Sequence, residues 1–287
     1  MLTLLFDGVA YGMLLFLLAV GLAVTLGLMN FINLAHGAFA MLGGYAMVLM
    51  MQRLHLPFLA TLPLAFLATA ALGALCERTL YRPMYARPHL DQVLFSIGLV
   101  LMAVTGVDYV LGSQQQPVDI PGFLRGRFDF AAVGIGKYRL FIVVVCGLLA
   151  IGLQAALTRT RFGSRLRASV DDARVARGLG IDVNRVFLLT FAVGSGLAGL
   201  GGALGAEVLG LDPSFPLKFM IYFLVVVAVG GTTTITGPMF AAILLGIADV
   251  AGKYYVPKLG PFIVYTLMIV ILLARPHGLF VRRGAGR

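Results

Sequence analysis

The side chains of this chain that could do chemistry sit in a few short runs, and they offer hydrogen bonds or charge rather than nucleophiles beside bases. Asn30, Asn33 and His36 lie in Met29-Asn30-Phe31-Ile32-Asn33-Leu34-Ala35-His36-Gly37. Their amides and imidazole are unfavourable against hydrocarbon but suit a polar translocation pathway or the end of a broken helix. Asn33 is equally placed to cap the helix that follows. No second histidine or carboxylate stands at ligand spacing from His36, so no metal site is expected. Thr232, Thr233 and Thr234 lie in Gly230-Gly231-Thr232-Thr233-Thr234-Ile235-Thr236-Gly237-Pro238. Their hydroxyls could satisfy backbone groups freed between two half-length helices lining a pathway; an ordinary turn is the other reading.

A third run, 158–184, carries Arg159, Arg161, Arg165, Arg167, Arg174 and Arg177. Within it Leu166, Val170, Ala173, Ala176 or Arg177, and Leu179 or Gly180 follow helical spacing, which predicts one short amphipathic helix stopped by Gly178 and Gly180. Asp182 can cap the next helix. Such a helix could lie on anionic lipid, but its alanine- and glycine-built face buries little area there and suits a groove in a protein. A fourth run, Gly194, Ala198, Gly202, Ala206 and Gly210, repeats small residues at four-residue spacing, the pattern that lets membrane helices approach closely. Glu207 beside it should face the bundle or a watery cavity. No phosphate-binding loop, zinc-hydrolase motif, nucleophile elbow or paired-cysteine motif occurs. Neither a catalytic residue nor a cofactor is therefore expected, and any energy used must arrive from a partner.

The elements that position these runs follow from composition. The chain is 60% hydrophobic and 12% charged with a mean hydropathy of +0.97, against about 45–50% and about 25% in soluble domains, so it must be dissolved in lipid. A net charge of +10 fits nucleic acid or an anionic membrane. The arginines cluster between and after apolar runs, the bias of cytoplasmic loops in a polytopic membrane protein, so membrane lipid is the partner and nucleic acid is not. At roughly 20 residues per crossing, spans are expected at about 7–28, 36–51, 57–76, 91–112, 139–157, 186–210, 217–231, 237–252 and 258–274. The glutamine- and proline-containing stretch 113–138 should be an external loop, and no strand alternation suggests a barrel. Nine crossings put the amino terminus outside; eight put it inside if 36–51 dips and returns. Cys76 and Cys146 read as packing residues. The expected fold is an all-α polytopic transmembrane helical bundle of 8 or 9 spans, one domain over 1–287, with a cytoplasmic connector at 158–185 containing a short helix.

Two runs resemble known sequences. The connector resembles the coupling loop of bacterial ABC importer permeases at Gly163, Arg167-Ala168, Asp171-Asp172, Ala176 and Gly180-Ile181. The run from Met29 through His36-Gly37 to Met41-Leu42-Gly43-Gly44-Tyr45 resembles a block of the branched-chain amino-acid permeases. Further matches are Glu77-Arg78, Tyr81-Arg82-Pro83, Ser96-Ile97-Gly98, Gly230-Gly231 through Gly237-Pro238, Arg275-Pro276 and Gly278-Leu279-Phe280. The resemblance implies a permease subunit of the bacterial inner membrane, not itself an enzyme, with its carboxyl terminus in the cytoplasm. It implies as partners a second homologous permease, two cytoplasmic ATP-binding subunits and a periplasmic substrate-binding protein. Gly163, Arg167, Ala168, Asp171, Asp172, Ala176 and Gly180 would couple to the ATPase. Arg167 would anchor the loop, and Gly163 and Gly180 would permit turns. Branched-chain or related amino acids are the implied cargo, with urea or short amides as the alternative because Ala38 stands where relatives often have glutamate. Gly44, where relatives often have alanine, is a second departure. A different class, an ion-coupled secondary transporter, would have to use Asp108, Glu207 and Asp249, the only plausible acids within the spans.

Overall fold

The hydropathy pattern is realised as long helices, the only open-chain structure that satisfies its own backbone in lipid. The computed structural model describes all residues except 30, 131–132, 232–233, 276–277 and 280–287, so Asn30, Thr232 and Thr233 lie outside the described residues. In chain order the α-helices are α1 (Leu2–Met29), α2 (His36–Leu54), α3 (Phe58–Cys76), α4 (His89–Leu111) and α5 (Lys137–Arg159), followed by the short α6 (Arg161–Asp171) and α7 (Ala173–Gly178). Then come α8 (Val183–Leu209), α9 (Phe215–Gly230), α10 (Thr236–Tyr255) and α11 (Gly260–Ala274). Among the described residues α1, α3, α4, α5, α8 and α10 are long and apolar enough to cross a membrane. The more polar α2 and the shorter apolar α9 and α11 run beside them.

The helix ends sort into two faces. Asp7 of α1 forms an ion pair with Arg139 at the start of α5, so the amino terminus lies on the face opposite α6. The end of α2 and residues 117–119 after α4 line one cavity on that same face. The Leu279 amide donates to the Val229 carbonyl at 2.8 Å, which brings the chain after α11 back to the α6 face, beside the end of α9. Neighbouring long helices thus alternate in direction between the two faces, and α2 ends on the face opposite the connector.

At the centre stand α1, α2 and α8, the most buried helices. Lipid supplies no hydrophobic drive between helices, so association rests on close packing. Each interior glycine costs a helix about 1 kcal/mol relative to alanine, and here glycine lets backbones touch. A Cβ at Gly202 would collide with the Ala40 carbonyl, one at Gly43 with the Gly199 backbone, and one at Gly12 would lie 2.6 Å from the Ala242 carbonyl oxygen. The outer helices α3, α4 and α5 expose Leu67, Leu94, Met102, Leu148 and Ile151, a lipid-facing surface.

The stretch between α4 and α5 contains a feature not expected from the sequence, a hairpin of β1 (Arg127–Phe130) and β2 (Val133–Gly136) with Phe128 opposite Ile135. The Gln116 amide ties the same stretch to the Leu211 carbonyl after α8 at 2.8 Å.

Replacing Gly202 by valine should lower the unfolding free energy of the detergent-purified chain by about 3 kcal/mol, the upper end of overpacking costs, because the obstructing atoms are backbone. Gly98→Ala, which meets nothing within 4 Å, should not lower it and, by helix propensity, should raise it by up to about 1 kcal/mol. Thermal melts of the two variants check the contrast.

Candidate functional site

The connector between α5 and α8 is built around one carbonyl. Thr160 leaves the helix with φ −110°, and its side chain caps α6 by accepting from the Gly163 amide at 3.3 Å. The chain doubles back so tightly that a Cβ at Gly163 would run into the Leu157 carbonyl of α5. That carbonyl is among the last of α5, which lack helical partners, and Arg167 Nη1 donates to it at 2.5 Å. Gly163 is therefore required for a close approach inside α6 rather than for a turn. Arg167 anchors the loop to its own helix, leaving the rest of its exposed side chain on the surface.

The connector holds two helices where periodicity predicted one. Asp172 takes φ −153°, and its Oδ1 accepts from the amides of Arg174 at 2.8 Å and Val175 at 3.0 Å. The acidic pair thus ends one helix and caps the next, while Asp171 stays exposed. At the far end Gly180 has φ +81°, the Ile181 amide donates to the Ala176 carbonyl and the Gly180 amide to the Arg177 carbonyl, both at 3.0 Å. This is a Schellman ending, which demands a left-handed residue where glycine stands. Asp182 then caps α8 through the Arg185 amide at 3.1 Å, as expected from the sequence.

Leu166 and Ala176 are buried, and Ala168 is half-buried. Val175 and Leu179 are 56% and 75% exposed, beside exposed Arg165, Arg174 and Arg177. The outward surface of the connector is thus basic, with two apolar knobs.

Among the described residues, no hydrogen bond joins Asn33 or His36 to Thr234. Asn33 does not cap α2, whose preceding residue is Ala35 with no side-chain cap. Its Oδ1 instead accepts from the Tyr81 hydroxyl at 3.0 Å. Tyr81 is fully buried among Phe31, Phe95 and Phe191, at the end of a π-helical turn, Glu77–Tyr81. The His36 ring reaches the Leu18 carbonyl of α1 through Nε2 at 2.9 Å. Thr234 Oγ1 accepts from the Gly237 amide at 3.3 Å in the turn joining α9 to α10. With Ala23, Val24, Gly163 and Arg167 it lines a cavity of about 240 Å³ at the connector. Sequence reasoning passed over Tyr81 as a partner for Asn33. The available signal was a tyrosine in an apolar helix end, whose hydroxyl needs a partner when buried.

In the small-residue run, a Cβ at Gly194 would lie 3.4 Å from the Gly21 Cα, and Ala198 and Ala206 are buried. Gly210 is outside α8, turning the chain at φ +75° beside Gln115. Glu207 lines a polar cavity of about 500 Å³ with Asp7, Arg125, Arg127 and Arg139 on the opposite face. Of the other acids, Asp108 is exposed, while Asp249 is buried and bound by Lys253 Nζ at 2.5 Å. Between α8 and α9, burial alone would raise the Asp212 carboxyl, but Lys218, the Ser214 hydroxyl and the Ser214 amide together hold it below the usual carboxylate range.

Residues 4–272 match the family described as "Branched-chain amino acid transport system / permease component". The chain belongs to this family. It is 29% identical to the high-affinity branched-chain amino acid transport system permease protein BraD of Pseudomonas aeruginosa, covering 96% of this chain and 94% of that protein. It is 28% identical to the probable branched-chain amino acid transport permease protein LivH of Methanocaldococcus jannaschii, over 94% of this chain and 90% of that one. Its identity to the permease protein LivM of Salmonella typhimurium is 27%, over 93% of this chain and 68% of the longer LivM. No solved structure matches. The permease is thus an all-α, multi-pass membrane protein, and its relatives are transport subunits.

Tyr81→Phe leaves the Asn33 amide without its buried partner and should destabilise the permease by about 1–3 kcal/mol. Adding Asn33→Leu should recover part of that loss, since both polar groups are then gone. Denaturation of the two single variants and the double variant tests this; additive losses would contradict the coupling.

Proposed function

We propose that this chain is the membrane-spanning permease subunit of an ABC importer that carries branched-chain or related amino acids across the bacterial inner membrane. The observation that carries the reading is the connector: a basic surface with two exposed apolar residues, joined to the bundle by short, directional bonds at both ends. The Leu157 carbonyl, met by Arg167 and closely approached at Gly163, ties α6 to α5. The Schellman ending and the Asp182 cap join α7 directly to α8. A push on α7 therefore has little slack in which to dissipate. It reaches α8, whose glycines hold it in backbone contact with α1 and α2.

On this reading the connector lies in the cytoplasm and sits in a cleft of a nucleotide-hydrolysing subunit. Leu179 and Val175 act as apolar anchors, and Arg165, Arg174 and Arg177 select an acidic rim. ATP binding and hydrolysis belong to two such partners, and the permease itself performs no catalysis. The names of BraD, LivH and LivM support amino-acid cargo and a second, related permease as membrane partner. A periplasmic binding protein would deliver the cargo to the face that carries the hairpin, and the carboxyl terminus would be cytoplasmic. Asn33, His36 and Thr234 remain the pathway candidates on the described chain, with Asn30, Thr232 and Thr233 beside them in sequence.

Leu179→Asp and Val175→Asp should each leave the permease in the membrane at normal level but cut ATP-driven amino-acid uptake at least tenfold in proteoliposomes of the assembled transporter. Unchanged uptake in both, or uptake by the permease alone without ATP, would overturn the reading.

A further inference from the structure

A groove of about 580 Å³ runs between α5 and α10 towards the face that carries α6. Its α5 wall is one helical stripe, in which Gly147, Ile151, Gln154 and Thr158 are spaced by three or four residues. Met239 and Ile243 form the α10 wall, and Met13 of α1 the floor. Gly147 opens the groove. The nearest atom to a Cβ there is Met13 Cε at 3.8 Å, so a longer side chain would fill the space.

The polar lining is confined to one end. Gln154, Thr158, Arg159 and Thr236 stand at the last turns of α5 and the start of α10, and the rest is apolar. With 23 residues, α5 is about 34 Å long against a hydrocarbon core of roughly 30 Å, so its last turn reaches the headgroup layer. The stripe from Gly147 to Arg159 is about 18 Å long, comparable with one leaflet. Spread over that length, the space open to atom centres is about 6 Å across, so the groove itself is about 9 Å wide, a little narrower than the 10–12 Å of a helix with its side chains.

Arg159 is exposed and has no ion pair among the described residues. Arg161 and Arg165 follow it, also exposed. A narrow apolar channel within the hydrocarbon, ending at an unpaired arginine at headgroup depth, has the charge and shape of a lipid rather than of a protein segment. Basic pockets between membrane helices take anionic headgroups in this way. We propose that this groove holds one anionic glycerophospholipid of the leaflet on the α6 face, one of its two acyl chains along Ile151 and Met239 and its phosphate on Arg159. The bound phosphate lies beside the corner that anchors α6, because the adjoining cavity shares Gln154, Thr158 and Ile235 and reaches Gly163 and Arg167. The site does not depend on what the permease carries, only on its place in a bilayer.

The test uses the full-length chain in phosphatidylcholine nanodiscs containing a phosphatidylglycerol with a photoactivatable acyl chain, with adducts mapped by peptide mass spectrometry. Adducts are expected at Ile151, Met239 or their neighbours, competed by unlabelled phosphatidylglycerol and not by added phosphatidylcholine. Arg159→Glu should reduce them at least fivefold, and Gly147→Leu, which fills the channel without changing charge, should do the same. Arg53→Glu, on the opposite face, should change nothing. Equal competition by phosphatidylcholine, or labelling indifferent to both groove variants in chains with normal melts, would mean bulk lipid and overturn the proposal. So would a cysteine at Ile151 that crosslinks to another protein subunit of the assembled transporter while no lipid adduct forms.

Discussion

The constraint on which the rest of this bundle depends is backbone contact at glycine. In water, apolar side chains drive helices together; in lipid they gain nothing by leaving one apolar neighbour for another, and only dispersion and hydrogen bonds favour the protein partner. The contacts of Gly202 with Ala40, Gly43 with Gly199 and Gly21 with Gly194 bring main chains together where any side chain would hold them apart. Because the groups in contact are backbone, they cannot yield by changing rotamer. The central helices are consequently stiff against one another, and motion is more easily accommodated by rigid shifts than by local repacking.

On the proposed reading, that stiffness is what gives the connector its importance. A surface helix on a flexible tether would transmit nothing, whereas α6 and α7 are fastened at each end by bonds of fixed direction. The Leu157 carbonyl fastens the first, and the glycine-dependent ending before Asp182 fastens the second. Even the interruption between them is specified, because Asp172 satisfies the amides that begin α7. The surface left over is basic with two apolar projections, which is what a docking element presents when its inner side is already used. A lipid phosphate at Arg159 would add a third fastening at the same corner, from the bilayer itself.

Much of this was legible before any coordinates. Hydropathy located the long apolar helices, α1 to α5 and α8 to α11, to within a few residues, because length and apolarity in lipid leave no other solution. The Asp182 cap was legible because it is local. What escaped depends on partners distant in sequence or on competition between similar local signals. Tyr81 lies 48 residues from Asn33, and nothing in either run names the other; the nearer possibility, a cap on α2, was the natural expectation. The hairpin β1–β2 is too short for alternation to stand out. In the connector, helical periodicity runs unbroken through Asp172, and only the geometry of its side chain reveals the break. Gly163 signals an approach rather than a turn only once α6 is seen to fold back on α5.

The claim that binds these observations is that the connector faces the compartment in which ATP is hydrolysed, and sidedness tests it most directly. A single cysteine at Leu179, 75% exposed on that surface, should be untouched by a membrane-impermeant maleimide in spheroplasts and react fully in inverted vesicles. Reaction in spheroplasts, with protection in inverted vesicles, would place the connector on the other side of the membrane and contradict the account.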